Sequence, residues 1–233
     1  MLGMMREGLT ALLLKLEGPL SPIRSVAERL LREGAEVEEE DGAFLISRPP
    51  KIAPQAFALV LYEGLPDEII DRYIQQFAAQ QSIRSFRLPD AYRQILRILN
   101  GASVFELSLF GVPPSMCASP PLLNRGARQP LDIATAGTSW IRAYKPDREQ
   151  FHFGSSPHSR DENLGYFLNP DGSVEARRRG GLITTSWRTM RDFLSEEIAR
   201  NEAAFAEYEE RSEAFRTELQ QAEAATRASR KKT

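Results

Sequence analysis

Two histidines, one cysteine and several crowded charges are the residues here whose types could do chemistry. His152 and His158 would need a third ligand, Asp161 or Glu162, to hold a metal, and their spacing matches no recognised ligand pattern. His152 stands between Phe151 and Phe153 in a strand-like run, so its ring points to the face opposite theirs. Structural roles are expected for both histidines, and no metal. Cys117 lies in the Pro-rich stretch VPPSMCASPP with no histidine nearby to lower its pKa, and reads as a small buried hydrophobe rather than a nucleophile. GLITTS lacks the lysine and spacing of a phosphate-binding loop, and no GxGxxG occurs, so no nucleotide cofactor is expected.

Charge offers more. Glu38, Glu39, Glu40 and Asp41 crowd a turn; four solvated carboxylates do not make a tuned general acid, but they suit a basic partner surface such as the substrate groove of a nuclease. Asp161 and Glu162 form a second acidic point. Arg177, Arg178 and Arg179, and the cluster Arg227, Arg230, Lys231 and Lys232, invite a nucleic-acid reading. From Arg200 onward, however, seven glutamates match the basic residues, and no nucleic-acid-binding motif accompanies them, so direct nucleic-acid binding is not expected.

The elements that must position these groups follow from periodicity. Leu9, Leu12, Leu13 and Leu16 predict a first helix ended by Gly18-Pro19; Ser21 and Pro22 open a second, closed by Gly34. Asp41-Gly42 predicts a tight hairpin. Gln55 to Glu63 reads as a strand, Pro66 opens a helix, and Tyr92, Ile95, Leu96 and Leu99 predict another, stopped by Asn100-Gly101. Val104 to Phe110 reads as one strand, Leu131 to Ala136 as a helical turn, and Trp140 to Tyr144 as extended. Phe151 begins a further strand, and GYFLNPDGSVEARR a hairpin. From Trp187, the positions Leu194, Ile198, Asn201, Phe205, Tyr208, Ser212, Phe215, Leu219 and Ala222 step by four and three along a long C-terminal helix.

The order of these pieces resembles the SUKH superfamily from about Leu65 to Ile198. It carries LPDAYRQILRILNG, VFELSLFG, the Leu131-Asp132 turn, FHFGSS, GYFLNPDGSV and WRTMRDFLSEEI; Ala102-Ser103 depart from the pattern, where a further glycine is common. The resemblance implies an α+β fold, a mixed, mostly antiparallel sheet flanked by helices, with no common catalytic residue. Its members include bacterial immunity proteins and a fungal regulator of cell-wall glucan synthesis. The expected organisation is an N-terminal helix pair and hairpin over 1–64 packed on the core, a SUKH-like domain over 65–200 and a helical tail over 201–233.

The chain has 233 residues, 30 Lys plus Arg against 32 Asp plus Glu and a net charge of -2, which excludes a uniformly basic polyanion binder. One cysteine excludes an internal disulfide. Lys15 interrupts the apolar start, arguing against a signal peptide, and no apolar run approaches the ~20 residues of a membrane span. The reading is a cytoplasmic, non-enzymatic protein-binding module without cofactor, an immunity protein that neutralises a cognate toxin by occluding it. The alternative is a scaffold or regulator whose long C-terminal helix pairs with itself, as a homo-oligomer, or with another helical protein.

Overall fold

Nine strands hydrogen-bond in simple chain order, β1 to β9, each antiparallel to the next. The computed structural model describes residues 2–40, 42–47, 57–80, 87–113, 129–159, 162–207 and 210, with backbone alone at 2–6, 77–80 and 159. The strands are β1 (Val37–Glu40), β2 (Ala43–Ser47), β3 (Phe57–Glu63), β4 (Leu99–Val104), β5 (Leu107–Leu109), β6 (Phe151–Ser159), β7 (Glu162–Leu168), β8 (Val174–Arg177) and β9 (Ile183–Trp187). A lone parallel bridge joins Gly111 to Asp132. The helices are α1 (Leu2–Lys15), α2 (Ser21–Arg32), α3 (Asp67–Gln80), α4 (Asp90–Ile98), α5, running through Ile133–Thr135, a π turn at Ala136–Trp140 and Ile141–Tyr144, and α6 over 190–207. The fold is α+β, with the sheet flanked by helices and a helix at the C-terminal end of the described chain.

The registers align one row across the sheet: Phe44, Leu61, Ala102, Leu109, Gly154, Tyr166, Ala176 and Thr185. Strand side chains alternate, so this row and its next-but-one neighbours make the apolar face. Leu9, Leu12, Leu13 and Leu16 of α1, Ile23, Ala27 and Leu30 of α2, Tyr92 and Leu96 of α4, and Phe193, Leu194, Ile198 and Phe205 of α6 are buried in the core cluster that includes it. Each large apolar side chain so buried contributes roughly 1.5–3 kcal/mol. Thr189 caps α6: its hydroxyl accepts from the Asp192 amide at 3.1 Å and donates to the Asp192 carboxylate at 2.7 Å. Phe205 packs on Phe105 with ring centroids 5.6 Å apart. The stripe Leu194, Ile198, Asn201 and Phe205 thus faces the core; its continuation, Tyr208, Ser212, Phe215, Leu219 and Ala222, lies outside the described residues.

Four local expectations are corrected. Val104 to Phe110 is not one strand, because Phe105 turns back with φ of 53° and is buried against α6, leaving β4 and β5 as a hairpin. Trp140 to Tyr144 is helical rather than extended; Trp140 rests on Phe110 and Tyr144 on His152 and Phe167, a spacing of four that only a helix lays on one face. Leu99 belongs to β4, and Asn100-Gly101 continue that strand instead of capping α4. Gly101 has φ of +83°, and a Cβ there would stand 2.8 Å from the Leu109 carbonyl oxygen. Finally, Ser21 does not cap α2: its hydroxyl donates back to the Gly18 carbonyl at 2.9 Å.

Candidate functional site

β1 is an edge strand, and its composition is dictated by that position. Val37 lies opposite Ile46 and packs on the core; Glu39 lies opposite Phe44 on the same face, and Glu38 and Glu40 lie opposite Leu45 and Ala43 on the other face. Glu38 and Glu39 are exposed and Glu40 half-buried. Charges on an edge strand discourage further strands from adding to it while remaining solvated. Among the described residues no ion pair reaches Glu39 or Glu40. Glu63, exposed at the end of β3, joins them: its amide donates to the Gly42 carbonyl at 3.0 Å, and its carboxylate lies 4.0 Å from where a Gly42 side chain would begin. Sequence reading missed Glu63 because only the hairpin register brings β3 beside the turn. Asp41 lies outside the described residues.

Glu162 belongs elsewhere. β7 is six strands from β1, about 29 Å along the sheet at ~4.8 Å per strand. The Glu162 carboxylate accepts from Arg178 Nε at 2.9 Å to each oxygen, and this guanidinium holds its pKa below the ordinary carboxylate range. The two acidic points are therefore not one patch, and Glu162 already has a counterion; Asp161 lies outside the described residues.

Arg177 and Arg178 of the arginine run are likewise engaged internally, while Arg179 is exposed. Arg177 is buried and donates to Glu175 at 2.9 Å, Asp147 at 3.3 Å and the Lys145 carbonyl at 3.3 Å. Gln150 donates to Glu175 at 2.9 Å and to Asn169 at 2.6 Å, tying this network to the second hairpin.

His152 is a core residue. Its ring stacks on Phe167 at 4.6 Å and 16°, and meets Phe110 and Tyr144 edge-on. Nδ1 lies 3.2 Å from the Ala136 carbonyl oxygen in the π turn of α5, whereas Nε2 is buried without a hydrogen-bond partner. Burial pushes its pKa down to about 4, so the ring is neutral and Nδ1 donates. Gly165 makes the room: a Cβ there would come within 3.1 Å of both His152 Nε2 and Tyr144.

A second buried polar cluster ties α6 to the sheet. Tyr166 donates to Glu197; Arg200 donates to Glu197 at 2.7 Å, Ser156 at 2.5 Å and Tyr166 at 3.1 Å. Burial and the adjacent carboxylate push the Tyr166 pKa up. The acceptors and donors satisfy one another, as buried polar groups must. Two open grooves, of about 510 and 310 Å³, run along α2, the first also by the turn after α1 and the second beside α6, with Ser21, Ser25 and Arg191 lining both. No group of three His, Cys, Asp or Glu side chains suited to a metal occurs among the described residues, and none of their helices is long and apolar enough to cross a membrane. Cys117 lies outside the described residues.

In comparisons with known proteins, no family model, no curated protein and no solved structure matches this chain.

Proposed function

We propose that this chain is a non-enzymatic protein-binding module of the SUKH type, acting in the cytoplasm as an immunity protein that neutralises a cognate bacterial toxin by covering its active site. The observation that carries the reading is the β1 edge, where Glu39 on one face and Glu38 and Glu40 on the other, with Glu63 beside the turn, place carboxylates at one end of the sheet. Such a charge row steers a basic partner into register and raises the rate of encounter. The antiparallel α+β architecture and the seating of FHFGSS and GYFLNPDGSV in β6, β7 and the hairpin to β8 support the family resemblance.

The test is co-expression with the products of neighbouring genes, scored for one that kills the host when this chain is omitted. The expected result is protection by the wild type and weakened protection by Glu39→Lys with Glu40→Lys. A neighbour that is harmless alone, or full protection by the charge-reversed variant with unchanged affinity, speaks against the reading.

A further inference from the structure

The other edge of the sheet has the opposite character. Gly180 to Trp187 is eight consecutive residues without a charge, and within it Leu182 and Ile183 are 63% and 48% exposed, two of the most exposed large apolar side chains among the described residues. Thr184, Thr185 and Ser186 are also exposed, and among the described residues no strand pairs with the outer side of β9. β1 is guarded by carboxylates; β9 carries none of the usual edge charges within the strand.

The ladder shows which backbone groups point outward. The Asn169 amide donates to the Ser173 carbonyl and the Arg178 amide to the Leu182 carbonyl. Alternation in an antiparallel ladder therefore turns Ser173, Glu175 and Arg177 toward β7, and Val174 and Ala176 toward β9. Their partners Trp187 and Thr185 face inward, and Thr184 is the extra residue where the register shifts. The amide and carbonyl of Ser186, and those of Ile183, point away from the sheet.

We propose that this outer edge of β9 takes an extended, acid-flanked segment of a protein partner as a tenth strand. Main-chain bonds to Ile183 and Ser186 would hold it, and the exposed Leu182 and Ile183 would cover its apolar side chains. Acidic flanks follow from the charges that bracket the run: Arg179 stands at one end and Arg188 at the other, with Arg191 exposed one turn further, while Arg178 is already paired with Glu162. A second copy fits less well, because pairing Ile183 of one copy with Ser186 of the other brings Arg188 of each toward Arg179 of the other. The site is eight strands from β1, about 38 Å along the sheet, and goes beyond the toxin-binding reading, which rests on the acidic edge.

The test is a fluorescence-anisotropy titration of the full chain with two labelled synthetic peptides, Asp-Asp-Val-Thr-Val-Thr-Val-Asp-Asp and the same core flanked by lysines. The acid-flanked peptide should bind at least about tenfold more tightly, and Arg188→Glu should shrink that preference several-fold, leaving Arg179 and Arg191 to carry the remainder. Ser186→Pro removes an outward amide without touching the β8 ladder and should weaken binding about tenfold or more. Glu39→Lys with Glu40→Lys should leave binding unchanged, which separates this site from the acidic edge. In the wild type, hydrogen exchange should slow at the Ile183 and Ser186 amides on adding peptide, a readout independent of any variant's folding. Equal affinity for the two peptides, no binding up to about 1 mM, or unaltered exchange at those amides overturns the proposal. So does a concentration-dependent dimer abolished by Ser186→Pro, which would give the edge to a second copy.

Discussion

Mild acid should loosen this fold through His152. The ring is stacked on Phe167, edged by Phe110 and Tyr144, and its Nε2 is buried without a hydrogen-bond partner, so burial opposes a second proton. Its pKa is about 4 in the folded chain against 6.5 for an ordinary histidine. Between those values the unfolded chain holds more protons than the folded one, so stability falls as pH falls. The contribution is fully present above pH 6.5 and is lost as pH descends toward 4. The whole difference corresponds to roughly 3 kcal/mol, of which about 2 kcal/mol is gone by about pH 5. That is a large share of the ~5–15 kcal/mol stability of an ordinary domain. Urea unfolding at about pH 7.5, 6 and 5 measures it, with His152→Phe as the reference because phenylalanine keeps the stack and does not titrate. The variant loses the bond to Ala136 at every pH, so the wild type should start ahead and surrender about 2 kcal/mol of that margin by about pH 5. Two curves that stay parallel across this range would refute the reasoning.

Tyr166→Phe removes the hydroxyl shared by Ser156, Glu197 and Arg200 and should cost about 1–3 kcal/mol, read as a lower urea midpoint at unchanged slope; an unmoved midpoint would mean the cluster does not anchor α6. Gly101→Ala combines a left-handed backbone, costing about 1–2 kcal/mol, with a close approach to the Leu109 carbonyl, so its thermal midpoint should drop by several degrees. Under the proposed function, Glu39→Lys with Glu40→Lys should slow association with a toxin identified by co-expression about tenfold or more at low salt and flatten its salt dependence, while leaving the unfolding midpoint close to that of the wild type; stopped-flow mixing separates the two effects.

Much of this architecture was legible where local and global signals agree. The leucines of α1, the stripe of Tyr92, Ile95 and Leu96, and the two hairpins at Asp41-Gly42 and Asn169 to Gly172 need only spacing and turn chemistry, and β1–β2 and β7–β8 pair as those turns require. What escaped depends on distant partners. Phe105 interrupts an apolar run that otherwise reads as one strand because Phe205, a hundred residues on in the chain, covers it. β9 was not foreseen, since a short exposed edge strand has no alternation of buried and exposed residues to reveal it. The acidic residues of β1 were visible as a charge run, but neither the arrival of Glu63 nor the consumption of Glu162 by Arg178 can be deduced without the register and the fold.

α6 closes the core last, since its phenylalanines cap strands synthesised long before it. Phe105, Phe153 and Tyr166 touch Phe205 or Phe193, and Arg29 of α2 donates to Glu202 at 2.7 and 2.8 Å. A growing polypeptide on the ribosome therefore carries a greasy sheet only partly covered, by α1, α2 and α4, until the stretch through residue 205 has left the exit tunnel. During that interval the exposed apolar surface is open to aggregation, and a chain that stops before the helix keeps it exposed.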